Sequence, residues 1–311
     1  MTSPPTIASR QDFVSRRGDV EFWHPYVREV LNRHSLSDGG REPMAGFNAT
    51  HPTFVVGEVV VKFFGYSRGW RRSHSAERAA HALIATDPAI VAPRVLANGQ
   101  LCDSADAAWP YLVTSRMSGV PWRDAELSAE QRLAVAADLG EQVRRVHALP
   151  TTGVATHEDW AAVDVTAGAE RSSLPPHLVA QAADYVARLG PAEPVFLHAD
   201  LVETHVFVEG GRLAGIIDWG DALVGDRHLE LIQVYRGLFD CDRELFRVFL
   251  DASGWPVGED FAQHALGCAL HRQAIGLAQH NGMDVFEPIA EQFPLHEIRT
   301  LDDLATELFG R

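Results

Sequence analysis

Cysteine is scarce in this chain: three in 311 residues, Cys102, Cys241 and Cys268. Their odd number and wide spacing exclude a disulfide framework and a zinc-binding pattern. A reduced, cytoplasmic setting is expected. Positive charge is short as well, since 27 Lys and Arg face 42 Asp and Glu, a net charge of −15. That argues against nucleic acid as a partner, which needs a basic surface, and is compatible with a cationic small molecule. No apolar run approaches the ~18 residues of a membrane span, so no membrane partner is expected. The opening MTSPPTIASRQDF has no apolar core and predicts no secretory leader. Internal repeats and low-complexity tracts are missing. So is a Walker loop: Gly46 to Thr53 holds a single glycine, where Gly-x-x-x-x-Gly-Lys-Ser/Thr is needed. What remains is a soluble globular chain, 46% hydrophobic, long enough for a sizeable core. A monomer is expected.

The most informative stretch runs from Val195 to Asp221. Two apolar runs, Val195-Phe196-Leu197 and Val206-Phe207-Val208, flank a polar loop, and a third, Gly215-Ile216-Ile217, follows a Glu-Gly-Gly-Arg turn. Such runs bounded by Gly and charged residues predict buried strands. The loop carries His198, Asp200 and His205, and the third run ends in Asp218-Trp219-Gly220-Asp221. Rigid strands would hold these groups more firmly than free loops can. His198-x-Asp200 with His205 five residues on matches the kinase catalytic-loop pattern His-x-Asp-x-x-x-x-Asn except at its last position, and Asp218-Trp219-Gly220 stands where kinases carry Asp-Phe-Gly. The chemistry explains the residue types. One carboxylate must orient an acceptor hydroxyl and take its proton, and another must hold magnesium on nucleotide phosphates.

Around this stretch the pattern separates. Residues 1 to about 18 are expected to be loose. Asp19 to His34 has apolar residues at helical spacing. Val59 to Phe64 and Val91 to Leu96 predict strands, as does the run from Trp109 into Ser115-Arg116-Met117-Ser118-Gly119. Ser75 to Ala85 predicts a helix with Glu77 in its first turn. Beyond, Ser128 to Leu149, Leu178 to Leu189, Leu229 to Leu238, Arg243 to Ala252, Glu259 to His280 and Leu301 to Phe309 read as helices. His147 reads as a packed or dipole-favoured histidine. Strands thus dominate residues 45–115 and helices the rest. This implies an α+β fold of two lobes, 1–117 and 118–311, with a cleft between them, and argues against a doubly wound sheet. Lys62 alternates with Val60 and Phe64 on one face of its strand. A lysine among such neighbours is costly unless paired, and Glu77, one helix later, is the expected partner.

The two motifs resemble those of the aminoglycoside phosphotransferase family, which shares the protein-kinase-like fold. The family's His-Gly-Asp-Leu-x-x-x-Asn corresponds to His198-Ala199-Asp200-Leu201-Val202-Glu203-Thr204-His205. Its Ile-Asp-Trp/Phe-x-Asp-x-x-x-Gly-Asp corresponds to Ile217-Asp218-Trp219-Gly220-Asp221-Ala222-Leu223-Val224-Gly225-Asp226. The segment Trp109-Pro110-Tyr111-Leu112-Val113-Thr114-Ser115-Arg116-Met117 is similar to that of the subgroup acting on the 7''-hydroxyl of hygromycin B. The resemblance implies an N-terminal nucleotide-binding sheet lobe and a helical lobe with the catalytic loop and substrate site. It implies transfer from ATP or GTP, with magnesium, to a hydroxylated small molecule such as hygromycin B. A macrolide, or a housekeeping sugar or amino alcohol, is the alternative acceptor, and a nucleotide-binding pseudokinase the non-enzymatic one. Asp200 would be the catalytic base, in the motif that opens with His198. Lys62 would bind phosphate and pair with Glu77. Val60 would face adenine, Ser115 and Met117 would hold it through backbone atoms, and Asn48 would cover the phosphates. Asp218 would ligate magnesium, with His205 at the second ligand position. Asp226, Asp221 and Glu230 are the acids expected to meet substrate ammonium groups. Two departures stand out. Ala199 replaces the usual glycine, and His205 replaces an asparagine although magnesium prefers oxygen ligands.

Overall fold

The structure is a computed structural model and describes residues 3–47, 49–102, 109–156, 162–191, 194–279 and 282–310. The chain divides into two compact units. One comprises residues 1–118 with 215–221, the other residues 119–214 with 222–311. The excursion 215–221, which carries Asp218, thus belongs to the first unit and not to the helical part where sequence order would put it.

In the first unit, helices α1 (Arg10–Arg16) and α2 (Val20–Arg33) precede a five-stranded sheet. α1 occupies a stretch expected to be loose. Ser9 caps it through the Asp12 amide, and its Phe13 is buried. The strands are β1 (Met44–Ala45), β2 (Thr53–Val56), β3 (Val59–Phe63), β4 (Val95–Gln100) and β5 (Pro110–Ser115), with helix α3 (Trp70–Ile84) between β3 and β4. Their order is β1-β2-β3-β5-β4, and the pairs are antiparallel. β4 begins at Val95, so Val91–Arg94, expected in a strand, lies outside it. Alternation along β3 sorts the sheet's faces. Val59, Val61 and Phe63 are buried in the core with Trp23, Val27 and Val30 of α2, while Val60 and Lys62 share the half-buried face. Trp23 anchors that core, stacked 4.9 Å from Phe63 and edge-on 5.1 Å from Trp109. Burying an indole of this size contributes about 5 kcal/mol.

The second unit carries strand β6 (Val120–Pro121), helices α4 (Ala129–His147), α5 (Val165–Ala169), α6 (Pro176–Val179) and α7 (Ala182–Ala187), strands β7 (Pro194–Leu197) and β8 (Val206–Glu209), most of β9 (Arg212–Ile216), strand β10 (Leu223–Asp226), and helices α8 (Arg243–Ser253), α9 (Phe261–Gln279), α10 (Glu287–Gln292) and α11 (Leu301–Phe309). α4 and α8 pack closely because residue 140 is glycine: a Cβ there would lie 2.5 Å from the Phe249 carbonyl oxygen. β7 and β10 pair antiparallel, Leu197 opposite Leu223 and Pro194 opposite Asp226. The loop of His198 and Asp200 therefore leaves the end of a strand fixed on both sides by packed apolar residues, Val195, Leu197, Leu223 and Leu229 among them. Leu229 to Leu238, expected as one α-helix, is instead a 3₁₀ turn (Arg227–Glu230) followed by a π-helical turn (Gln233–Leu238). No helix among the described residues is long and apolar enough to cross a membrane.

Candidate active site

Lys62 stands at the centre of the first unit's polar cluster. It is the only lysine in the sequence, the other 26 of the 27 basic residues being arginine. Its ammonium donates to Glu77 Oε2 at 2.7 Å and to Asp218 Oδ1 at 2.8 Å. Two carboxylates converging on one nitrogen suit a compact point charge, which lysine supplies in less space than the planar guanidinium fork. Burial alone would pull the Lys62 ammonium down, but Asp218 and Glu77 outweigh it and hold the group above its ordinary value. Burial pushes the Glu77 carboxyl up, against the pull of Lys62. α3 begins five residues earlier than its pattern suggested, so Glu77 lies inside the helix, buried, and is not a first-turn acid. Asp218 follows β9 with φ of 59°, a left-handed conformation that Asp tolerates. The turn is pinned by the buried Trp219, whose indole donates to the Ile216 carbonyl at 3.0 Å. Two buried histidines lie in the field of the same ammonium. Burial, with Lys62 adding, pushes His51 down to about 3 and His81 to about 4, so both are neutral at neutral pH.

The rest of the first unit's candidates fare unevenly. Val60 shares the Lys62 face. The Ser115 amide is already spent on the Arg94 carbonyl (2.8 Å) and the Arg116 amide on that of Glu58 (2.9 Å). Ser115 cannot donate to an adenine, because Arg94, just before β4, has taken its N–H, and only its carbonyl is left to serve there. Met117 packs against Gly215, where a Cβ would meet its Cε at 2.1 Å. Asp221 is exposed at the end of a 3₁₀ turn. Asn48 lies outside the described residues.

In the second unit the loop after β7 is built around a fully buried acid. Glu230 Oε1 accepts the His198 amide at 2.6 Å and the Ala199 amide at 3.0 Å, and its Oε2 lies 3.0 Å from His147 Nε2. Glu230 is therefore no substrate acid: its side chain has zero exposure and both oxygens are engaged. Burial would raise its carboxyl, but the hydrogen bond and charge of His147 and the loop amides bring it below the usual range. His147, expected merely to pack, is the partner of this buried acid. His198 is 1% exposed and its Nδ1 accepts the Asp200 amide at 3.2 Å, so it shapes the loop and does not meet solvent. Ala199 has φ of 65°, which explains why glycine is the natural choice there.

Asp200 is the most elaborately held group. Its Oδ1 accepts from Gln233 Nε2 at 3.0 Å and faces Arg272 Nη2 at 3.3 Å. His205 Nδ1 lies 2.8 Å from the Asp200 carbonyl oxygen, which can only accept, so this nitrogen carries a proton. Asp226 is bonded to His228 Nδ1 at 2.8 Å and is half-buried. Burial would raise its carboxyl, but His228 keeps it below the ordinary range. Gln233, Arg236, Arg272 and His147 were not singled out by motif. One signal was present: Arg272 is the only Asp, Glu, Lys or Arg in α9.

Magnesium suits one of its two expected ligands. Asp218 presents a hard, partly exposed carboxylate, whereas His205 presents an imidazole whose Nδ1 is committed to the backbone. No group of three His, Cys, Asp or Glu among the described residues is arranged to hold a metal ion on its own. A magnesium ion would therefore arrive with phosphate oxygens supplying much of its shell.

The family described as APH, phosphotransferase enzyme family, matches residues 48–266, more than half of the chain. Solved structures align over most of it. The macrolide 2'-phosphotransferase MphH from Brachybacterium faecium is 19% identical, covering 92% of this chain and 98% of its own, with TM-score 0.58. APH(2")-IIia, solved with GDP and kanamycin, is 17% identical over 91% and 99%, TM-score 0.63. The aminoglycoside phosphotransferase APH(3'')-Id from Streptomyces rimosus is 22% identical over 79% and 97%, TM-score 0.54. These likenesses establish the α+β, kinase-like fold. The family match over the segment that carries Lys62, Asp200 and Asp218 adds the class of chemistry: the chain belongs to the phosphotransferase enzyme family, whose members move a phosphoryl group onto a hydroxyl.

Proposed function

We propose that the chain transfers the γ-phosphoryl group of ATP or GTP to a hydroxyl of a small cationic aminocyclitol or aminoglycoside, hygromycin B being the first acceptor to test. The observation that carries this reading is the pairing of Lys62 with Glu77 and Asp218, at 2.7 and 2.8 Å. A buried ammonium held ready by two carboxylates is the arrangement that nucleotide phosphates use. Asp218 would hold the magnesium, which spreads the charge that builds on the phosphate oxygens. Val60, the Ser115 carbonyl and the Met117 amide would seat the base. Asp200 would orient the acceptor hydroxyl and receive its proton. Among the acids, Asp221 and Asp226 remain for substrate ammonium groups. Water exclusion and positioning, more than covalent chemistry, would supply the rate.

A macrolide acceptor is the second reading. It is favoured by the guanidinium of Arg272 beside Asp200, which sits poorly with an acceptor ammonium at that spot. ADP release across hygromycin B, other aminoglycosides, macrolides and simple amino sugars decides between the two. Asp200→Ala should abolish release while still binding nucleotide. Release by none of these acceptors would remove the antibiotic reading. Equal release by Asp200→Ala and wild type would remove the enzymatic role of that loop. The single lysine gives an acceptor-free check. An ATP-derived acyl phosphate should acylate Lys62, and excess ATP should block it.

A further inference from the structure

We propose that Gln233, Arg236 and Arg272 form a positioning set that commits Oδ1 of Asp200 to the protein and leaves Oδ2 to take the acceptor's proton. This rests on the phosphotransfer reading above and adds the residues that set its geometry.

The direction of each bond is fixed by chemistry. Arg236 Nε and Nη2 lie 3.1 and 2.7 Å from one atom of the Gln233 amide. Arginine only donates, so that atom is Oε1 and the amide cannot be reversed. Nε2 then points at Asp200 Oδ1, 3.0 Å away. Gln233 is 1% exposed, so no water can replace it in this relay. The Arg272 guanidinium spans the same loop, donating to the Ala199 carbonyl at 2.6 Å and reaching Asp200 Oδ1 at 3.3 Å. Two donors thus converge on Oδ1. Oδ2 lies 3.6 Å from His205 Nδ1, beyond hydrogen-bond reach, and that nitrogen donates to the Asp200 carbonyl.

The backbone supports the assignment. Gln233 and Arg236 stand three residues apart on the π-helical turn Gln233–Leu238. Such turns are rare and occur mostly at functional sites. This one brings both side chains into line with Asp200. The charge balance is also distinctive. Burial, with Arg272 adding, pulls the Arg236 guanidinium down while Asp200 and Asp284 oppose it. In a chain of net charge −15, a partly buried pair of like-charged guanidiniums needs a reason, and fixing the catalytic carboxylate supplies one. In the transfer step, the acceptor oxygen bonds to phosphorus as the bond to the departing nucleoside diphosphate breaks. The hydroxyl proton passes to Oδ2. A carboxylate free to rotate would present the right oxygen only part of the time.

Steady-state kinetics of ADP release test this, with MgATP and whichever acceptor supports turnover, and again with water as the only acceptor. Gln233→Met should lower kcat on the order of 10²-fold, the scale of a small misplacement, with KM for MgATP changed less than about two-fold. Arg272→Met should lower kcat in the same sense, again with KM for MgATP changed less than about two-fold. Arg272→Lys should return kcat toward wild type. A purely structural role would lower thermal stability without this split between kcat and KM. Should Gln233→Met fail to fold, Arg236→Met, which frees the amide to rotate, takes its place with the same expected loss in kcat. An unchanged kcat, or a loss confined to KM for MgATP, overturns the proposal. The second outcome would make the arginines phosphate ligands. Because the water arm needs no antibiotic, failure of every acceptor on the panel leaves this test standing.

Discussion

The two units solve opposite electrostatic problems. In the first, one ammonium, Lys62, is shared by two carboxylates. In the second, one carboxylate, Asp200, is shared by an amide and a guanidinium, with a further guanidinium behind the amide. In each, the minority charge is the group the proposed reaction would use and the majority charge is its holder. The difference lies in reserve. Remove Lys62, and two acids, one of them buried, are left facing each other. Remove Arg272, and Asp200 keeps Gln233. The first cluster is therefore brittle and the second tolerant.

Lys62→Met breaks the comparison hardest. Activity should vanish, and the first unit should lose ~3–5 kcal/mol, as when a buried pair is left with uncompensated charge. The variant should also show an unusual pH trend. Burial already pushes Glu77 up in the wild type, and without Lys62 its folded-state value rises further above the unfolded one. A raised carboxyl stabilises below its unfolded pKa, and that contribution disappears as pH climbs through the folded one. Lys62→Met should thus be more stable at pH 6 than at pH 8, read by urea titration at both. Lys62→Arg should not rescue, because the larger planar guanidinium does not fit where a compact ammonium lies 2.7 and 2.8 Å from the two acids. Arg272→Met, by contrast, should cost only ~1–2 kcal/mol, the scale of one charge-assisted hydrogen bond.

Acid separates the units next. His51 and His81, at about 3 and about 4 when folded, sit below the unfolded value of 6.5. As pH falls below 6.5, the unfolded chain takes up protons that the folded unit refuses. Stability contributed by their neutral burial is complete above pH 6.5 and drains between 6.5 and about 4, at roughly 1.4 kcal/mol per histidine per pH unit. The second unit's buried acid behaves differently. Glu230 is held below 4.5, so its contribution persists until pH falls through the carboxylate range. Hydrogen exchange at pH 5 should show β2 and β3 losing protection before α4 does. Substituting His51→Phe and His81→Leu should reduce that gap by ~2–4 kcal/mol at pH 5. Equal loss in both units would refute the contrast.

What could be read from residue order differs between the clusters for the same reason. Lys62 stands in an apolar strand and Asp218 in a spaced motif, so local pattern exposed both. Alternation along β3 even placed Val60 and Lys62 on one face. The holders of Asp200 come from positions 233, 236 and 272. Nothing local distinguishes the first two from polar groups on a helix surface, and at 272 only the lack of any other Asp, Glu, Lys or Arg in α9 stands out. Gln233 was hidden because a π-helical turn was read as ordinary helix, and the 3.6-residue period does not reveal one extra residue per turn. Glu230 was read as exposed because acids usually are. Its burial depends on two loop amides and His147, which is 83 residues away in sequence. Residue order pointed only to backbone atoms of Ser115; that its amide is taken by the Arg94 carbonyl is a contact between distant residues, which local pattern does not show.

The smallest effect concerns backbone strain and again sets the loops apart. Both carry a left-handed residue, Asp218 in the first unit and Ala199 in the second. Asp accepts that conformation through local hydrogen bonding, whereas Ala has no such relief and loses ~1–2 kcal/mol. Ala199→Gly would remove the strain. It would also loosen the unfolded chain, which costs ~0.5–1 kcal/mol. The two nearly cancel, and a net gain of ~0.5 kcal/mol is expected. That corresponds to a rise of roughly 1–2 °C in the melting temperature of a unit of this size. Activity should hold, because the Glu230 and Arg272 bonds to residue 199 use only its backbone amide and carbonyl. A fall of several degrees would mean that the Cβ of Ala199, 2% exposed, contributes packing worth more than its strain. The second unit's loop would then be held by its apolar contacts as much as by its polar ones.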